Sequence, residues 1–202
     1  MLQVTQQPEP ADFDAKVRQR GLDYLRSQDI ALNGPVLLNV KLPDYWRASL
    51  DELYSSYDGI CAYLAIHFER ITGAGSVDHF AAKSKFAGQA YEWTNYRLAC
   101  SRMNSRKNHY NDVLDPFLVQ DGWFRLELIS GRIYANSDLD PETLQAVTDT
   151  INRLKLDDAG CREVRSRHYF DYLQGDFTAD FLRRRSPFVW YEASRQGLLK
   201  NV

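Results

Sequence analysis

Four side chains stand where their chemistry could be combined: Asp78 and His79, adjacent in SVDHF, Asn95 in EWTN, and Asn104 in LACSRMNSRKN. A neutral imidazole is the side chain best poised to take a proton from water near pH 7. A carboxylate and an amide carbonyl are hard oxygen donors, suited to Mg²⁺ or Mn²⁺ with several waters retained. Hydrolysis of a phosphodiester needs both kinds of group: a base for the attacking water, and a cation for the charge that develops on the phosphate and the leaving oxygen. On this reading His79 is the base, and Asp78 and Asn104 are metal ligands. Each residue also has an ordinary structural alternative. A histidine or aspartate on a strand can serve packing alone, an asparagine between apolar runs is often a turn or cap residue, and Asn104 can simply face solvent.

The surrounding elements must place these groups together. Alternation along a regular strand sends Asp78 and His79 to opposite faces, so the strand is expected to end there. Upstream, Phe13, Val17, Leu22 and Leu25 fall at helical spacing, which predicts a helix from Phe13 to about Ser27. The stretch NGPVLLNVKLPDY reads as an extended connector, partly buried through Val36, Leu37 and Leu38. Asp44 suits an N-cap for a second helix carrying Trp46, Leu50, Leu53, Tyr54 and Tyr57 and stopping at Asp58-Gly59. The run ICAYLAIHF then has strand composition, TGAG supplies a turn, and SVDHF returns as the second strand. AAKSKFAGQ reads as a surface loop, YEWTNYRLAC as an approach ending in an apolar run, and SRMNSRKNHY as the start of a helix. Beyond it, WFRLELISGRIYA predicts a β-hairpin turning at Ser130-Gly131, and Asp140-Pro141 caps a helix reaching about Leu154, with two or three more helices to follow.

With 202 residues, 44% of them hydrophobic, the chain can bury one sizeable core, and a single α+β domain is expected. Its parts are a helical region at 1–57, a central region at 58–116, and a hairpin followed by helices at 117–202. No apolar run approaches the ~20 residues a membrane helix requires, and the amino terminus lacks a secretory pattern. Three cysteines, an odd number, agree with a reducing compartment, so a cytoplasmic protein with no membrane partner is expected. Charge is unevenly spread. Residues 61–110 hold seven Lys or Arg against three acids and so carry +4, while the net charge of −2 leaves −6 to the flanks. A locally basic segment is what a phosphate-facing surface looks like, and a solvated face looks the same. Lys83, Arg102, Arg106 and Lys107 are the candidates for nucleic-acid contact.

The order SVDHF, EWTN, LACSRMNSRKN resembles the HNH endonuclease pattern over about residues 57–116. The resemblance implies a ββα-metal core wrapped by the amino- and carboxy-terminal helices and the additional hairpin. It implies His79 as general base, Asp78 and Asn104 as metal ligands, and Asn95 as the catalytic-site residue that orients the histidine. Many members carry two Cys-x-x-Cys pairs for a structural zinc. Here CAYL keeps Cys61 but has Leu64, and CSRM keeps Cys100 but has Met103, so no structural zinc is expected, with Leu64 and Met103 packing in its place. Cys161 reads as a core thiol. More loosely, the carboxy-terminal part resembles small HNH proteins of retron-associated and Septu-type anti-phage systems. That likeness implies a Mg²⁺- or Mn²⁺-dependent nuclease acting on nucleic acid, DNA before RNA, with a protein partner such as an ATPase or a reverse-transcriptase/RNA complex. Other readings of the same residues are a catalytically silent nucleic-acid-binding or scaffolding subunit and an RNA-cleaving toxin. Arg162, Arg165, Arg167 and Arg183 to Arg185 could extend a nucleic-acid surface or pair with nearby acids.

Overall fold

The computed structural model describes residues 1–36, 40–71 and 75–200, and over these the protein is a mixed α+β chain. It forms two compact units. One comprises residues 5–59 and 68–111; the other comprises 1–4, 60–67 and 112–202.

In the first unit, Phe13 and Val17 are buried at the start of a wide turn over Asp14–Arg18, which runs on into helix α1 (Gln19–Ser27). The segment after Asp44 opens as a 3₁₀ turn, Tyr45–Ser49, before helix α2 (Leu50–Ser56). Asp44 does not cap that turn; its carboxylate pairs with Arg47 at 3.0 Å, one turn further on. The helix stops where expected, with Asp58 and Gly59 both at positive φ. Of the connector, Val36 is half-buried, while Leu37 and Leu38 lie outside the described residues.

Strand β1 (Gly75–His79) pairs antiparallel with β2 (Tyr96–Cys100), in a register that sets Asp78 opposite Arg97 and His79 opposite Tyr96. Helix α3 (Ser101–Lys107) begins at the very next residue, packs on both strands, and buries Met103. The expected first strand, Ile60–Phe68, is not one. Cys61 N–H donates to the Ile66 carbonyl at 3.0 Å and Ala65 N–H to that of Cys61 at 2.8 Å, closing a tight loop in which Ala65 has φ of 50°. Only an isolated bridge, Ile60 to His67, remains of a ladder. Burial of Cys61, Ala62 and Tyr63 accounts for the strand-like composition. Thr72, Gly73 and Ala74 of the expected turn lie outside the described residues.

The core of this unit joins Phe13, Leu25, Trp46, Leu53, Tyr91 and Tyr96. Aromatic edges fix its geometry: Phe13 meets Trp93 at 5.5 Å and Tyr96 at 5.7 Å between ring centroids. Between β1 and β2 the chain makes two 3₁₀ turns, Ala87–Tyr91 and Trp93–Asn95, which lay the 80–95 connection back onto this core.

In the second unit, β3 (Phe124–Glu127) and β4 (Arg132–Ala135) form the expected hairpin, with Glu127 accepting from the N–H groups of Ile129 and Ser130, each at 2.8 Å. Helix α4 (Pro141–Leu154) is capped by Asp140, which accepts from Glu142 and Thr143 N–H. Three more helices follow: α5 (Ala159–Gln174), α6 (Ala179–Arg185) and α7 (Pro187–Arg195). The arginines of this part turn to acids or to the interior. Arg162 pairs with Asp157, Arg183 and Arg184 reach Asp180, Arg185 donates to His67 Nδ1 at 2.6 Å, and Arg165 is 1% exposed. Among the described residues no helix is long and apolar enough to cross a membrane.

Candidate functional site

Asp78 and His79 are the last two residues of β1, and the strand ends there as their adjacency requires. Beyond it, Phe80 N–H donates to the Asn95 carbonyl at 3.0 Å. Asp78, His79, Lys83 and Asn104 line one cleft of about 640 Å³, together with Ser101, Ser105 and His109 from α3 and the residues after it. Three of the four sequence candidates, from two different elements, therefore share one cavity.

The imidazole is held on three sides. Its Nε2 lies 2.9 Å from the Ala90 carbonyl oxygen. A carbonyl can only accept, so this bond assigns the proton to Nε2 and leaves Nδ1 as the ring's acceptor. Trp46 and Tyr96 meet the ring edge to face, with centroids 4.8 and 5.2 Å away. The Tyr96 hydroxyl donates to the same Ala90 oxygen at 2.9 Å. Burial, first, and then the positive charges of Lys83 and Lys107 push the His79 pKa down to about 3, against the opposing hydrogen bond to Ala90. His79 is consequently neutral at pH 7, and holding a proton there costs more than on a free imidazole.

Asn95 acts elsewhere than the resemblance implies. Its Oδ1 accepts from Ala81 N–H at 2.7 Å, and its Nδ2 donates to the carbonyls of Ala81 at 3.0 Å and Gln89 at 2.8 Å. The amide thus spans the two ends of the 81–89 loop, and the imidazole is oriented by the carbonyl of the following residue, Ala90. Asn95 is linked to the imidazole only through the backbone of Gln89 and Ala90.

The basic candidates separate. Lys107 is fully buried; its ammonium donates to the Phe80 carbonyl at 2.9 Å and lies over the Phe80 ring. It ties α3 to the end of β1, and the expectation that it faces phosphate fails for that reason. Arg97 plays a similar part, donating to the carbonyls of Thr94 and Tyr96 and lying over the Phe80 ring as well. Arg102 is exposed and Arg106 half-buried on α3, and neither is among the described residues lining the cleft. Lys83 does line it, with its Nζ 3.9 Å from the centroid of the Trp46 ring. Burial and the Arg47 charge lower its pKa, while Asp44 and Asp78 act against them.

Asp78, itself buried, and Asn104 bring a carboxylate and an amide to the lining of a cleft with ample room for water. Among the described residues no group of three or more His, Cys, Asp or Glu could hold an ion. A carboxylate and an amide oxygen are hard donors, which suit Mg²⁺ better than Zn²⁺. Cys61 and Cys161 are buried and Cys100 is half-buried; Met103 is fully buried and Leu64 half-buried.

Compared with known proteins, the chain matches no family model and no curated sequence. Function has to be argued from the cleft itself. Two of the parts that build it had no signal in the sequence. The Ala90 carbonyl is a backbone group that any residue would supply, and Trp46 read only as a helix-face aromatic. His109 is the third histidine of the basic segment, after His67 and His79, and stands two residues beyond α3.

Proposed function

We propose that the protein is a metal-dependent phosphodiesterase acting on nucleic acid, an HNH-type nuclease in which β1, β2 and α3 form the ββα core. The observation that carries this reading is the convergence of Asp78, His79 and Asn104 on one cleft, with His79 neutral and its Nε2 proton committed to Ala90. In this reading His79 Nδ1 accepts the proton of the attacking water. Asp78 and Asn104 would hold a divalent ion, which supplies Lewis-acid stabilisation of the charge on the phosphate and leaving oxygen. Asn95 keeps the 81–89 loop closed, so that the Ala90 carbonyl fixes the imidazole plane and tautomer. Trp46 and Tyr96 prevent the ring from rotating out of that plane.

The deciding assay incubates purified protein with plasmid, linear single-stranded DNA and structured RNA in Mg²⁺, Mn²⁺ or EDTA, alongside His79→Ala. Cleavage that needs the metal and falls at least ~100-fold in the variant is expected, since a positioned base contributes about 10²–10⁴-fold. Undiminished cleavage by a folded His79→Ala protein removes the proposed base. One observation favours a second reading, a binding module without catalysis: His79 is only 8% exposed and is wedged between two aromatic rings. Calorimetric binding of Mg²⁺, lost in Asp78→Ala, separates the two, because a silent scaffold has no use for the ion.

A further inference from the structure

Lys83 differs from Lys107 and Arg97, the buried cations beside it. Among the described residues it makes no hydrogen bond and no ion pair, and its one directed contact is the face of Trp46. Its ammonium is therefore left to the water of the cleft it lines, available to a ligand that enters there. Lys107, by comparison, spends its ammonium on Phe80. The indole face attracts the Lys83 ammonium, as tryptophan faces attract cations, but it accepts no conventional hydrogen bond.

Position adds a second argument. Two further clefts, of about 330 and 490 Å³, adjoin the first, one lined by Lys41, Leu42, Asp44 and Trp46, the other by Arg47, Leu50 and Gly75. Of the described residues only Lys83 lines all three. The same Trp46 ring that Lys83 covers meets the His79 imidazole at 4.8 Å, so the ammonium and the candidate base contact one indole. A chain of nucleotides occupying these clefts would carry a phosphate past Lys83 beside His79.

Resting on the nuclease reading above, we propose that Lys83 is a catalytic residue, its ammonium donating to a non-bridging oxygen of the phosphate under attack. It differs in kind from a peripheral phosphate contact such as Arg102. Charge that grows on the phosphate would meet a cation already placed over Trp46 at the cleft, and that contact strengthens toward the transition state.

The test uses Lys83→Met and Lys83→Arg in the full chain, with circular dichroism confirming the fold, and two readouts. In steady-state cleavage, Lys83→Met should lower kcat by about 10²–10³-fold, the loss typical of one oxyanion-stabilising donor, with KM changed only a few-fold, and Lys83→Arg should recover much of kcat. In the second readout, inorganic phosphate is titrated at constant ionic strength in EDTA. It should shift the Trp46 indole N–H resonance in the wild type and leave it unmoved in Lys83→Met. If cleavage is lost in His79→Ala yet kept in Lys83→Met, or if Lys83→Met raises only KM, the catalytic assignment of Lys83 falls and the nuclease reading stands. If the wild type cuts nothing while phosphate still shifts Trp46 through Lys83, the nuclease reading and the catalytic role fall together and an anion site remains. Neither cleavage nor a Lys83-dependent shift overturns both.

Discussion

Replacing Gly21 by alanine sets two effects of opposite sign against each other at a position tied to the cleft. Gly21 lies inside α1, where alanine is the better helix former by ~0.5–1 kcal/mol. A Cβ built there, however, falls 2.1 Å from Cγ of Tyr91 and 2.2 and 2.6 Å from its two Cδ atoms. Carbon atoms pack at ~3.5–4 Å, so ring or helix would have to move by over ~1 Å. The ring has little freedom to yield. Tyr91 is fully buried, its hydroxyl donates to the Pro43 carbonyl at 3.1 Å, and Tyr45 and Trp46 lie about 6 Å away between centroids. Overpacking of this kind costs ~1–3 kcal/mol, and loss of the hydroxyl bond adds ~1 kcal/mol. The steric cost wins, and Gly21→Ala should destabilise its unit by about 1–3 kcal/mol. Urea unfolding followed by circular dichroism measures this directly. Because Tyr91 follows Ala90 in the chain and touches Trp46, cleavage should fall as well. A double-mutant cycle with Tyr91→Leu should show positive coupling above ~1 kcal/mol. Equal or greater stability of Gly21→Ala would refute the packing argument, since propensity alone predicts that sign.

Two further outcomes follow from the polar interior. His79, its pKa pushed down to about 3, and His168, pushed down to about 4 by burial and by Arg185 and Arg167, are both neutral when folded, whereas unfolded histidines titrate near 6.5. The unfolded chain thus binds the extra protons, and the stability present above pH 6.5 is lost as pH falls toward 4 and 3; between pH 7 and 5 each histidine should cost roughly 1.5–2 kcal/mol, and urea unfolding in EDTA that gives the same stability at both pH values would contradict their burial as neutral rings. Asn95→Asp keeps an acceptor for Ala81 N–H but turns a carboxylate toward the carbonyls of Ala81 and Gln89, so a loss of ~2–4 kcal/mol, with kcat reduced more than substrate affinity, is expected from unfolding and steady-state cleavage measured side by side.

Much of the fold was legible because its signals are local. Asp140 before Pro141 determines where α4 begins through its own two hydrogen bonds, and Gly131 closes the β3–β4 turn at φ of 68°. The end of β1 could be read from the adjacency of Asp78 and His79. What was not legible depends on distant partners. The run at 60–68 has the composition of a strand and the burial of one, yet its N–H groups close a loop, and β1 finds its ladder in β2, beyond a connection of sixteen residues, 80–95. The 3₁₀ opening before α2 likewise follows from Asp44 engaging Arg47, a choice between two legitimate partners that the residue types leave open.

The site divides along the same line, and Asn95 shows why. Its position in the pattern was readable, but its purpose was assigned to the wrong partner. The loop presents one N–H and two carbonyls to be satisfied, and a primary amide matches that demand with one acceptor and two donors. Aspartate only accepts, serine has a single hydrogen to donate, and glutamine is longer by a methylene. The identity of Asn95 is therefore explained without any contact to His79. The link to chemistry runs through the next peptide unit: with residues 81 and 89 tied together, the carbonyl of Ala90 is aimed at Nε2, Tyr96 donates to the same oxygen, and the imidazole keeps Nδ1 as its acceptor. A purely structural histidine could spend both nitrogens on the protein. One that lines a cleft with Asp78, Asn104 and Lys83, and keeps Nδ1 as an acceptor, has the arrangement that the proposed base requires.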